Sequence, residues 1–317
     1  MSIDPSASVP SHRKPIPSQW EVYRPSHELA ELFHGTGDFR LSRRDIEIFE
    51  RLFHYNFALG RRLPIPGTRQ NRSKRLGKLL LEGLIARLSI PRFEEGGARG
   101  REYAYCLTAF GFECLVATGH RIAIERAAIW KPAYITFSTR NNIFHELAVS
   151  ELCFGVIEYL LDLQISAGWK SSRFTVQKAN PMVAGGQSLI IAPDAAIAAD
   201  NGHSILVEYE ESLRPEAFGD RLSNYRRYFQ HRLWESDYLK PPKLLISASA
   251  TADRQRYWEN PYSQALRMAQ EVVPLYQYVY LIQEQLWRRG QWLVQSISPG
   301  SELVPLKILV MDPRFRR

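Results

Sequence analysis

The stretch Gln187 to Ser212, QSLIIAPDAAIAADNGHSILVEYEES, holds two apolar runs with carboxylates at their ends. One run stops at Pro193-Asp194, a second follows, Asp200-Asn201-Gly202 supplies turn residues, and Ser204 to Val207 leads into Glu208-Tyr209-Glu210. This is the pattern of a hairpin built from two half-buried strands. Glu208 and Glu210 stand two apart, so on a strand they project from one face, a candidate site for a divalent metal. Register decides whether Asp194 joins them. A two-residue loop at Asn201-Gly202 would pair Asp200 with His203 and set Asp194 opposite Tyr209, on the other face. A three-residue loop, Asp200-Asn201-Gly202 with Gly202 in the left-handed position, would pair Ala199 with His203 and place Asp194 directly opposite Glu208. Both loops suit the sequence, and the plain alternative is an exposed rim of ordinary acids.

Around this stretch lie 317 residues, 45% of them hydrophobic, enough for a large core and about two domains. No segment is long and apolar enough to span a membrane, and the N-terminus, MSIDPSASVPSHRKPIPSQW, has no hydrophobic segment behind its charges. Residues 1–36 read as a flexible Pro/Ser-rich tail, and cytoplasmic residence is expected. Cys106, Cys114 and Cys153 are odd in number and lack CxxC spacing, which argues against a disulfide framework or a zinc site. A net charge of +8 favours a polyanionic partner.

That charge is concentrated. Arg61, Arg62, Arg69, Arg72, Lys74, Arg75 and Lys78 occur with no acid among them. Ser42, with Asp45 three residues on, opens a helix carrying Ile46, Ile48, Phe49, Leu52 and Phe53. Gly60 and Pro64-Ile65-Pro66-Gly67 break the chain, and Thr68 caps a second helix. Its Leu76, Leu79, Leu80 and Leu84 share one face while Asn71, Lys74, Arg75 and Lys78 fall opposite. Strands over 86–93 and 101–107 flank a glycine-rich tip. The order helix, basic helix, hairpin is that of a winged helix-turn-helix, expected over residues 37–130; the plain alternative is a small helical domain whose basic face is merely solvated. In the winged module the basic helix enters the major groove of double-stranded DNA and the wing touches phosphates, here through Arg92, Arg99 and Arg101. The short helix that should precede the basic one would have to lie within Asn56 to Leu63.

Residues 131–317 read as a second, mixed α/β domain. A long helix runs from Asn142 to about Ile165, with His145, Glu146 and Glu151 read as surface groups. A strand is expected over Arg173 to Gln177, ahead of the acidic hairpin. Pro215 to about Trp234 is a helix with Tyr225, Tyr228 and Phe229 toward the core and Arg221, Arg226 and Arg227 among them. Lys243 to Ser247 is a buried strand, Tyr262 to Val273 a helix, and Tyr276 to Ile282 a strand or the start of another helix.

A helix followed by a sheet whose hairpin carries Pro193-Asp194 and Glu208-Tyr209-Glu210 resembles the PD-(D/E)XK nuclease superfamily. That resemblance implies Mg²⁺ held by Asp194 and Glu208, with a lysine that orients water. Position 210 is Glu where the superfamily has Lys. Arg221 could replace the lysine electrostatically but is too basic to accept a proton. The candidate catalytic set is therefore Asp194, Glu208, Glu210 and Arg221. With the winged helix in front, and with the HELAV run beginning at His145, the chain resembles the replication-relaxation family of plasmids and other mobile elements. This implies an α+β chain that binds double-stranded DNA in replication, mobilisation or its control, with a Mg-dependent endonuclease as the alternative and a homodimer admitted.

Overall fold

In a computed structural model the described residues are 20–25, 28–34, 39–91, 101–136, 140–175, 177–179, 189–210, 214–248, 260–271 and 275–311. The chain is a mixed α+β protein that divides into two compact units, Met1–Leu147 and Ala148–Arg317.

The first unit contains α1 (Leu29–His34), α2 (Arg43–Tyr55), β1 (Ala58–Leu59), α3 (Arg69–Leu81), β2 (Ile85–Pro91), β3 (Arg101–Leu107), α4 (Ala109–Ala117), α5 (Arg121–Arg126) and α6 (Ala133–Thr136). The division between the units falls inside α7 (Arg140–Asp162). Ser42 and Asp45 form the expected capping box at the start of α2, whose Ile48, Phe49, Leu52 and Phe53 are buried. Thr68 caps α3 by accepting from the Asn71 amide, and α3 buries Leu76, Leu79 and Leu80. The helix expected between Asn56 and Leu63 is instead the two-residue strand β1 and a single 3₁₀ turn, Gly60–Arg62. Ala58 and Leu59 find a better use as partners of Tyr105 and Ala104, which orders the small sheet β1-β3-β2.

Part of the stretch read as tail, residues 20–25 and 28–34, is among the described residues. Trp20 is buried and stacks on Phe57, and Glu21 exchanges backbone hydrogen bonds with Arg87 on β2. Residues 20–25 cross Gly83 so closely that a Cβ there would lie 2.8 Å from the Tyr23 carbonyl oxygen. Gly83 also has φ +71° just past the end of α3, so two requirements select glycine. Residues 131–147, assigned to the second domain from sequence, contribute Ala133, Tyr134, Ile143 and Leu147 to the same core as Trp20, Phe57, Leu88 and Cys106.

The second unit continues with β4 (Ala167–Ser171), β5 (Gln177–Ala179), β6 (Leu189–Ile191), β7 (Ala195–Ala199), β8 (Ser204–Glu210), α8 (Pro215–Gln230), β9 (Lys243–Ala248), α9 (Pro261–Gln270), β10 (Val279–Gln283), α10 (Glu284–Arg288), β11 (Leu293–Ser296) and β12 (Leu303–Pro305). A seven-stranded sheet runs β12-β11-β10-β9-β8-β7-β4, while β5 and β6 pair apart from it. The strand expected over Arg173 to Gln177 lies earlier, at Ala167–Ser171, and residues 172–174 form a 3₁₀ turn. The reason is alternation: Trp169 and Ser171 point inward while Gly168 and Lys170 are exposed, a pattern that the glycine disguises. The strand β8 is buried along its whole length, not half-buried, because it is central and helices cover both faces. Leu206, Leu244 and Ile246 pack on Phe218, Leu222 and Tyr225 of α8 and on Ala265 and Ala269 of α9. On the opposite face, Phe154 of α7 meets Trp169 edge-on. Among the described residues no helix is long and apolar enough to cross a membrane.

Candidate functional site

Backbone geometry at Asp200-Asn201-Gly202 settles the register of the hairpin. The Ala199 amide donates to the His203 carbonyl at 2.9 Å, the Gly202 amide to the Ala199 carbonyl at 3.1 Å, and Gly202 has φ +80°. This is the three-residue loop, in which glycine supplies the left-handed residue at no steric cost. The ladder Ala198↔Ser204 to Ala195↔Val207 therefore brings Asp194, one step further, beside Glu208. The Asp194 Oδ2 accepts from the Tyr209 backbone amide at 2.8 Å, which anchors it there.

Glu208 and Glu210 share a face, as their spacing predicts, but they are no rim. They are only 5% and 6% exposed, and they lie beneath α8. That helix starts with Pro215 at its first turn and turns Phe218, Leu222, Tyr225, Tyr228 and Phe229 inward. Arg221 and Tyr225, one turn apart, thus reach the acids together. The Tyr225 hydroxyl donates to Glu208 Oε1 at 2.5 Å. The Arg221 guanidinium pairs with Glu210, and its Nε lies 4.0 Å from Glu208 Oε2. Sequence reasoning placed Tyr225 in the core without this hydrogen bond; the i, i+4 spacing from Arg221 was the available signal.

Burial pushes the Glu208 carboxyl well above the ordinary carboxylate range, and the Asp194 charge pushes it further, against the Tyr225 hydrogen bond and Arg221. Burial works against the charge on Arg221, yet Glu210 and Glu208 outweigh it and raise its pKa. Burial and the neighbouring Glu208 raise the Tyr225 phenol as well. The four residues expected to act together, Asp194, Glu208, Glu210 and Arg221, are thus gathered. Carboxylate oxygens suit a hard cation such as Mg²⁺. The arrangement itself does not: Arg221 supplies the positive charge between Glu208 and Glu210, Tyr225 occupies an oxygen of Glu208, and the Tyr209 amide an oxygen of Asp194. Among the described residues no group of three or more His, Cys, Asp or Glu side chains could hold a metal ion. Glu146 and Glu151, read as surface groups, are buried, and Glu146 accepts from the Asn56 side-chain amide at 3.0 Å.

In the first unit the basic residues fall into two sets. Arg61 pairs with Glu102 and Arg87 with Glu21. Arg75, expected on the DNA-facing side of α3, is committed elsewhere: its Nε donates to Asp45 Oδ1 at 2.7 Å, and its guanidinium lies 4.8 Å over the Phe39 ring. At helical angles it falls on the flank of the leucine face, not opposite it. Arg69, Lys74 and Lys78 are exposed, Arg72 is half-buried with an Nε that has no hydrogen-bond partner, and no ion pair among the described residues involves any of the four. Gln70, Asn71 and Ser73 are exposed among them. Arg92 and Arg99 lie outside the described residues, and Arg101 is described only as the first residue of β3. Comparison with family models, with curated proteins and with solved structures finds no match to this chain.

Proposed function

We propose that the chain binds double-stranded DNA through α3 and acts in the replication or mobilisation of a plasmid or other mobile element. The observation that carries this reading is the separation of charges in the first unit. Arg61, Arg75 and Arg87 are neutralised by acids, whereas Arg69, Arg72, Lys74 and Lys78 along α3 are in no ion pair among the described residues. Of these, Lys74 and Lys78 lie one turn apart on the side of α3 opposite its leucines, and unpaired cations so placed are what a phosphate backbone neutralises, with release of its counterions. The order α2, β1, α3, β2, β3 supports a winged helix-turn-helix in which the 3₁₀ turn takes the place of the short helix. The second unit supports a PD-(D/E)XK-like fold: α7, the antiparallel strands β4, β7 and β8 adjacent in the sheet, with β5 and β6 inserted between the first two, then α8 and a strand β9 parallel to β8. Both features agree with the resemblance to the replication-relaxation family.

The test is binding of a short labelled duplex at several salt concentrations. The wild-type chain is expected to bind with a steep salt dependence. Lys74→Ala and Lys78→Ala should each weaken binding to any sequence and reduce the log–log salt slope by about 1. Unchanged affinity and slope in the double variant would overturn the reading.

With Arg221 filling the place of a cation, the second unit is proposed to hold DNA or a partner rather than cut DNA. Addition of Mg²⁺ or Mn²⁺ is expected to leave supercoiled plasmid intact and the unfolding temperature where an equal ionic strength of NaCl leaves it. Cleavage that disappears in both Asp194→Ala and Glu208→Ala would establish the endonuclease instead.

A further inference from the structure

We infer that Gly77, half-buried at the border of the exposed face of α3, is a notch that receives a deoxyribose–phosphate unit of the DNA backbone; this rests on the DNA-binding reading of the same helix. Glycine is, after proline, the least favourable residue in a helix interior, so its presence calls for a cause. The usual causes do not apply. Gly77 is not among the residues with positive φ, and a Cβ built on it would meet nothing within 4 Å among the described residues. Gly83, six positions on, shows what a required glycine looks like, with positive φ and backbone packed on its Cα.

What surrounds the notch has a chemistry. At helical spacing its neighbours are Ser73 and Lys74 before it and Leu80 and Leu81 after it; Leu80 is buried, the other three are exposed, and the exposed Lys78 stands one turn on from Lys74 on the adjoining side. Lys74 and Lys78 are in no ion pair among the described residues, and Leu81 is 58% exposed at the end of the same face. The site therefore presents two free cations beside a bare stretch of helix backbone and an apolar side chain. A sugar–phosphate unit matches it: the phosphate lies between the two ammonium groups, and the sugar carbons approach the Gly77 Cα and Leu81. A Cβ at 77 would hold that unit off the helix.

The test uses the full chain and a fluorescein-labelled duplex of mixed sequence, titrated at several salt concentrations with anisotropy as the readout. Gly77→Ala is expected to raise the unfolding temperature, because alanine is the better helix former, and yet to weaken binding about tenfold. Its salt slope should stay at the wild-type value, since no charge is lost, whereas Lys74→Ala and Lys78→Ala reduce the slope. If the lysine variants lose affinity and slope while Gly77→Ala binds as tightly as wild type, the notch is overturned and the DNA reading stands. If the lysine variants bind as wild type does, both fall.

Discussion

Asp45→Ala is expected to cost the first unit about 4 kcal/mol, a large part of a typical folding free energy of roughly 5–15 kcal/mol. Asp45 is fully buried and does two jobs. Its Oδ2 accepts from the Ser42 backbone amide at 2.7 Å and from the Ser42 hydroxyl at 2.6 Å, which closes the start of α2. It also holds the Arg75 guanidinium through Oδ1 and Oδ2, which ties α2 to α3. Loss of a helix cap costs about 1 kcal/mol, and breaking a buried pair about 3–5 kcal/mol. The lower end applies because Arg75 is 27% exposed and water can hydrate it once its partner is gone. Asp45→Asn should retain part of the cap and lose the pair. Chemical denaturation of Asp45→Ala, Arg75→Ala and the double variant gives the coupling directly; a double-mutant coupling near zero would show that the two helices are not linked through this pair. Any loss of DNA affinity in Arg75→Ala should then follow the loss of folded protein and leave the salt slope of the folded fraction unchanged.

In the second unit, stability is expected to fall as pH rises, through Glu208. Its carboxyl binds a proton more readily in the folded chain than in the unfolded one, where the value is near 4.5. Folding therefore takes up a proton within that interval. The contribution is fully present below about pH 4.5 and is lost, by up to about 1.4 kcal/mol per pH unit, until pH passes the folded value. Glu208→Gln keeps an oxygen for the Tyr225 hydroxyl and removes the titrating group. It should flatten this part of the pH profile and raise stability at neutral pH. Arg221→Ala should do the reverse, at a cost of about 1–3 kcal/mol, since two buried carboxylates lose their cation; its side chain is 42% exposed, which moderates the penalty. Combining it with Glu208→Gln should recover part of the loss. Urea unfolding from acid to neutral pH in the presence of a chelator measures all three, and a Glu208→Gln profile parallel to wild type would refute the assignment.

Where the sequence carried its own geometric rule, the structure follows it. The spacing of Glu208 and Glu210, the capping box at Ser42 and the apolar faces of α3 and α8 are local, and each is set by a period or a turn. The hairpin register was undecided because Asn201-Gly202 and Asp200-Asn201-Gly202 are equally good loops. The structure has the three-residue loop, with β4 paired along β7 and β9 along β8 on either side of the hairpin. The misplacement of β4 has a similar origin: Gly168 and Lys170 weaken a strand signal that only pairing with β7 supplies. Arg75 and Glu146 went to the wrong surfaces because a helical wheel does not show that Asp45 or Asn56 waits across the fold. Trp20 lies in a stretch whose composition reads as tail, and its burial against Phe57 and Tyr134 marks it as core.

The short bridge between Glu21 and Arg87 has a consequence for solubility. One of the two outer strands of the order β1-β3-β2 is β2, and the paired amides and carbonyls of Glu21 and Arg87 cap part of its outer side. An uncapped strand edge is a template for another chain. A chain shortened beyond Pro25 would lose the Trp20 anchor and this cover together, and would tend to associate edge to edge, whereas one shortened only to residue 19 would keep both.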